Sequence, residues 1–135
     1  MKTLLAAVLF FAPALLWAEP PPPPKTTPEV RARLQVEAAA LEKQALASPN
    51  DPELFTRLGF TYARLDQADD AQRAFENAVR LDSKKAPAWY MLGLIYEKKG
   101  LKEQAIAAWK ACLANTQDQR ARDTAARHIH HLSQP

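Results

Sequence analysis

The chain has 135 residues, with 18 Lys and Arg against 15 Asp and Glu and a net charge of +3. The basic residues are interleaved with acidic ones, so no basic cluster supplies the footprint that a nucleic-acid partner requires. A single cysteine, Cys112, excludes an internal disulfide and reads as a small buried apolar group rather than a reactive thiol.

Residues 1–18 carry one charge, Lys2, before an apolar run from Leu4 to Leu16 that ends in Trp17 and Ala18. This is the pattern of a secretory signal peptide: the run is shorter than the roughly 18–20 residues of a spanning helix, and Leu16 and Ala18 suit the positions before a peptidase cut. Cleavage after Ala18 is expected, leaving an exported chain without stable membrane insertion. No Cys follows the run, so lipid attachment at a lipobox is excluded. Residues 19–28, with five consecutive prolines at Pro20–Pro24, read as a proline-rich extended tether, since proline fixes φ and lacks an N–H donor.

Residues 29–48 are rich in good helix formers, with Thr27 as a candidate N-cap and Pro28 at the first turn. Val30, Leu34, Ala38, Leu41 and Ala45 form the apolar stripe of this helix. Two segments then repeat each other at one fixed offset, the distance from Phe55 to Trp89. Phe55, Leu58, Gly59, Tyr62, Ala71 and Phe75 recur as Trp89, Leu92, Gly93, Tyr96, Ala105 and Trp109. Phe55, Leu58 and Tyr62 share one helical face, as do Trp89, Leu92 and Tyr96. Gly59 and Gly93, unfavourable inside a helix, imply close approach of a partner helix, and the pairs Ala71 with Phe75 and Ala105 with Trp109 supply its small and large residues. The spacing predicts helices at Glu53–Leu65, Asp69–Leu81, Pro87–Lys99 and Lys102–Leu113, the last hairpin turning at Gly100.

This pattern resembles the tetratricopeptide repeat (TPR), with one repeat at residues 52–85 and another at 86–119. Ser83 and Gln117 stand where the repeat usually ends in Pro. The helix at 29–48 resembles the second half of a degenerate repeat, failing at Glu37, where Ala71 and Ala105 stand in the full repeats. After Asp118 the pattern stops, since Asp123 takes the place of the aromatic and Arg127 that of the glycine. Residues 120–135 nonetheless continue an apolar stripe through Ala121, Ala125, Ile129 and Leu132, as a capping helix and tail must. The expected fold is all-α: a right-handed α-α superhelix of two full repeats flanked by an N-terminal helix and a C-terminal capping helix.

No catalytic constellation accompanies these elements: no phosphate loop, CxxC, HExxH or CxxCH is present, and no Ser has a His or acid at suggestive spacing. The chain is therefore not expected to be an enzyme or to carry a cofactor. His128 and His131 share a face at i, i+3 and are the candidate metal ligands, but without a third ligand nearby the reading is that they favour the last helical turn instead. The resemblance implies a concave groove faced by Glu53, Thr56, Phe60, Ala63 and Arg64 and by Pro87, Tyr90, Leu94, Glu97 and Lys98. It also implies that the Lys and Asn clamp of chaperone-binding repeats is absent, because Thr56, Phe60, Tyr90 and Leu94 occupy its positions. Phe60, Tyr90 and Leu94 read as surplus apolar residues that the hairpin core does not need, hence as a contact surface. The functional expectation is a non-enzymatic periplasmic adaptor of a Gram-negative bacterium. It holds an apolar peptide or helix of another envelope protein; the alternatives are self-association through the groove, or a metal-binding protein using the histidines.

Overall fold

The computed structural model describes residues 26–135. They form six helices and, among the described residues, no strand: α1 (Pro28–Ala47), α2 (Pro52–Arg64), α3 (Ala68–Leu81), α4 (Ala86–Lys98), α5 (Lys102–Asn115) and α6 (Gln119–Leu132). The expected leader, and the tether as far as Lys25, lie outside the described residues. No described helix is long and apolar enough to cross a membrane.

Three helix starts are fixed by side chains that accept from otherwise orphaned amides. Thr27 accepts from Val30 N at 3.3 Å, Asp51 from Glu53 N at 2.9 Å, and Asp118 from Arg120 N at 2.9 Å. α3 and α5 lack such caps and carry Asp69, Asp70 and Glu103 in their first turns, where negative charge favours the helix dipole. The turns that close the two hairpins both pass through the left-handed region, at Asp66 (φ 63°) and at Gly100 (φ 74°), which occupy the same position in successive repeats.

Packing within the hairpins follows the glycine and aromatic pairs. Gly59 lies against the ring of Phe75 and Gly93 against the indole of Trp109, both large side chains being fully buried. Leu92, Tyr96, Ala105, Ala108 and Ala125 join Phe75 and Trp109 in the main core, which extends through α3, α4, α5 and α6. A second cluster joins α1 to the first repeat, with Leu34, Ala38 and Leu41 packed on Leu54, Leu58, Leu65 and Ala74. Val30 is only half-buried at the edge of that cluster.

Polar rungs reinforce successive helix pairs. The phenol of Tyr62 donates to Glu42, and that of Tyr96 to Glu76 at 2.7 Å. Glu42 and Glu76 are related by the same offset as the two tyrosines, so the rung belongs to the repeat. Burial first, and then the neighbouring carboxylate, push both phenols well above the ordinary tyrosine range. α6 is the least buried helix, with only Ala125 inside and Ile129 and Leu132 partly covered. Arg122 ties it back by donating to the carbonyls of Leu113 at 3.1 Å and Thr116 at 3.4 Å.

Candidate functional site

α2, α4 and α6 share one wall, and hollows between them mark its surface. One of them, of about 410 Å³, is lined by Phe60 from α2, by Pro87, Tyr90 and Met91 from α4, and by Ala121 and Thr124 from α6. Cys112 and Thr116 lie beneath it, while Asp118 and Arg120 stand at its rim. Burial raises the Cys112 thiol above its ordinary range, which keeps it a neutral floor atom and not a nucleophile. Further along α4, a smaller hollow is lined by Ala63, Asp66, Ala68, Leu94, Ile95 and Lys98. A third, between α4 and α6, is lined by Glu97, Arg127, His128 and His131.

The expected groove residues meet different fates. Phe60 and Leu94 are the most available apolar side chains of the wall, each 38% exposed. They are not wholly surplus: Phe60 stands nearly perpendicular to Phe75, ring centroids 5.2 Å apart, and Tyr90 stands likewise to Trp109 at 5.1 Å. Each ring therefore presents one surface to the hairpin core and another to the hollow, in the favoured T-shaped arrangement. Arg64 and Lys98 are exposed at the C-terminal ends of α2 and α4.

Thr56 requires a correction. It is only 6% exposed, and its hydroxyl donates to the carbonyl of Pro52 at 2.8 Å, so it packs as a satisfied interior residue and offers nothing to a ligand. Glu97 is also not a free rim charge. Its carboxylate accepts from Trp109 Nε1 at 3.2 Å and from His128 Nδ1 at 2.7 Å, and the imidazole stacks on the indole with centroids 4.5 Å apart. One carboxylate thus joins α4, α5 and α6. It also commits one imidazole nitrogen of His128, leaving only Nε2 for any further ligand. Among the described residues no three His, Cys, Asp or Glu side chains gather as a metal site.

The pattern also held groove residues that the failed signature concealed. Carried forward by one more repeat, Pro87, Tyr90, Leu94 and Glu97 become Ala121, Thr124, His128 and His131, four of the six α6 residues that line the first and third hollows, with Arg120 and Arg127. The capping helix is therefore the third strip of the wall.

Comparison with known proteins agrees with this geometry. Residues 52–85 and 86–118 match the family model described as the tetratricopeptide repeat, so the hairpins α2–α3 and α4–α5 are tetratricopeptide repeats. The fold is similar to that in the crystal structure of the Sgt2 TPR domain from Aspergillus fumigatus, at 24% identity and a TM-score of 0.54, covering 81% of this chain and 86% of that one. No curated protein matches the sequence. The chain is an all-α, TPR-like array of the kind that binds protein partners.

Proposed function

We propose that the chain is a non-enzymatic adaptor of the Gram-negative periplasm, which holds an apolar peptide or helix of another exported protein against the wall formed by α2, α4 and α6. The observation that carries this reading is the hollow at Tyr90, where aromatic and aliphatic side chains from three helices converge around about 410 Å³ of open space. A monomeric array gains nothing from leaving such a surface open, and convergent apolar side chains in a concavity are the ordinary form of a binding site. Export is supported by the sequence of residues 1–18, one Lys followed by an uncharged apolar run and a small residue before Glu19.

The test has two parts. N-terminal sequencing of protein taken from the periplasm should begin at Glu19, whereas an intact Met1 in a membrane fraction would refute the exported soluble form. Capture of partners should then weaken by about thirtyfold, or roughly 2 kcal/mol, in a folded Phe60→Ala, Leu94→Ala variant, because such interfaces concentrate their energy in a few apolar anchors. Undiminished capture would remove the wall from consideration. Concentration-dependent mass in solution that disappears in the same variant would instead assign the wall to a second copy of the chain.

A further inference from the structure

The wall is not uniform along α4, and its polarity constrains what it can hold. Around Tyr90 it is apolar, and its carboxylates are already engaged: Glu53 pairs with Lys85 at 2.8 Å and Asp118 caps α6, while Arg120 is the one exposed cation at that rim outside the ion pairs of the described residues. At the other end Arg64, Lys98, Arg127 and His131 are exposed, and among the described residues none of the four belongs to an ion pair. The carboxylates there are fewer. Asp66 shares a hollow with Lys98, and Glu97 is engaged by Trp109 and His128. Compensation of helix dipoles accounts for Arg64 and Lys98 in the last turns of α2 and α4, but not for Arg127 of α6; Lys98 lines the hollow with Ala63 and Leu94, and Arg127 and His131 line the other hollow, beside Glu97.

Building on the adaptor reading, we infer that the partner is an extended, internal acidic-apolar segment, with a large apolar side chain in the hollow at Tyr90 and a side-chain carboxylate at the basic end near Lys98. Tyr90 and Lys98 are separated by about two turns of helix, a rise of about 12 Å. An extended chain covers that distance in about four residues. A free chain terminus is not needed. The cations stand on three different helices around an apolar floor, forming a broad positive field in place of a convergent set of donors, and such a field attracts carboxylates without fixing one oxygen.

Random dodecapeptides displayed internally in a phage coat protein, panned against the mature chain, should enrich sequences that place Asp or Glu about three to five residues from Phe, Tyr, Trp, Leu or Ile. The strongest sequence, synthesised with an amidated C-terminus and followed by fluorescence anisotropy, should bind about three- to tenfold more weakly when its acid becomes Gln, and this difference should shrink as salt is added. An Arg64→Glu, Lys98→Glu variant that retains its helical circular dichroism should reverse the preference, binding the Lys version of the peptide better than the Glu version. Selected peptides that are apolar without an acidic bias, or equal binding of the Glu and Gln versions, would overturn the inference and leave the apolar wall as the site. Loss of binding on amidation would also overturn it, by assigning the charge to a chain terminus. No enrichment at all, or binding untouched by Phe60→Ala with Leu94→Ala, would overturn both the inference and the adaptor reading.

Discussion

Replacing Gly93 by Ala tests the central packing argument, because two known effects oppose each other there. Alanine is the better helix former, and in an open helical position the change would stabilise by about 0.5–1 kcal/mol. A Cβ at Gly93, however, would lie 2.6 Å from Trp109 Cε2 and 2.7 Å from Cδ2, well inside ordinary contact. The indole has no easy retreat. It is fully buried, with Tyr90 nearly perpendicular to it at 5.1 Å, His128 stacked at 4.5 Å, and its Nε1 held by Glu97. Overpacking of a rigid core typically destabilises by about 1–3 kcal/mol, so the net expectation is a loss of about 1–2 kcal/mol. Urea unfolding followed by tryptophan fluorescence and by circular dichroism would measure it. Gly59→Ala against Phe75 should behave alike, and Ala107→Gly, at an exposed position of α5, should show the propensity effect alone. If Gly93→Ala stabilises the protein by the propensity amount, the helices do not approach as closely as the argument requires.

Three further outcomes follow from the same structure. Gly100→Ala should cost about 1 kcal/mol, because φ is 74° and no neighbouring atom opposes the new methyl, whereas Asp66→Gly at the equivalent turn should stabilise by a few tenths of a kcal/mol or more; both are read from urea midpoints. Tyr62 and Tyr96 have folded pKa values above the ordinary value of about 10, so above pH 10 the unfolded chain loses these protons first and stability falls as pH rises. The slope is at most about 1.4 kcal/mol per pH unit for each phenol and smaller at the more solvated Tyr62; a Tyr62→Phe, Tyr96→Phe variant should lose this part of the alkaline dependence in parallel urea titrations. His128→Ala should cost about 1–2 kcal/mol through the lost indole stacking and the lost bond to Glu97, and should speed amide hydrogen exchange in α6; His128→Phe should restore the stacking part alone.

How far the sequence could be read depended on whether a residue's role was written in its own spacing or in the approach of a distant helix. Gly59 with Phe75 and Gly93 with Trp109 are legible because a glycine in a helix demands a reason, and the repeat names that reason twice. The α1 stripe is legible for the same periodic cause. Thr56 was misread because its position in the repeat alone assigned it to the groove, whereas a threonine that bonds its own helix at Pro52 buries as readily as an aliphatic residue. Glu97 does line the wall, but its bonds were hidden because its partners come from α5 and α6, far along the chain, and no local pattern announces a carboxylate held by both an indole and an imidazole. The dual use of Phe60 and Tyr90 was hidden likewise: counting each ring as core or as surface leaves no place for one that does the first on one side and the second on the other.

The two ends of the array explain why the signature failed where it did. Phe55, Leu58, Gly59 and Tyr62 of α2 correspond, two repeats later, to Asp123, Ala126, Arg127 and His130 of α6, and all four of these are exposed. That face would receive a second helix in a full repeat, and here its side chains bond within their own helix or tail: Asp123 accepts from Gln119 at 2.7 Å, Arg127 donates to the Asp123 carbonyl at 3.4 Å, and His130 meets Gln134 at 2.8 Å. α1 shows the mirror case. Ala71, Ala74 and Ala78 of α3 correspond to Glu37, Ala40 and Gln44, again all exposed, with Glu37 accepting the hydroxyl of Thr61 at 3.1 Å. Polar substitution thus falls on the faces where another helix would extend the stack, as the end of an array requires, although α1 still leaves Val36 and Leu46 exposed. The faces turned toward the groove did not need the same change, and in α6 they kept Ala121, Thr124 and His128 half-buried in register with Pro87, Tyr90 and Leu94. A terminal helix can therefore lose every signature residue and still complete a binding wall, because stacking and ligand contact are written on different sides of it.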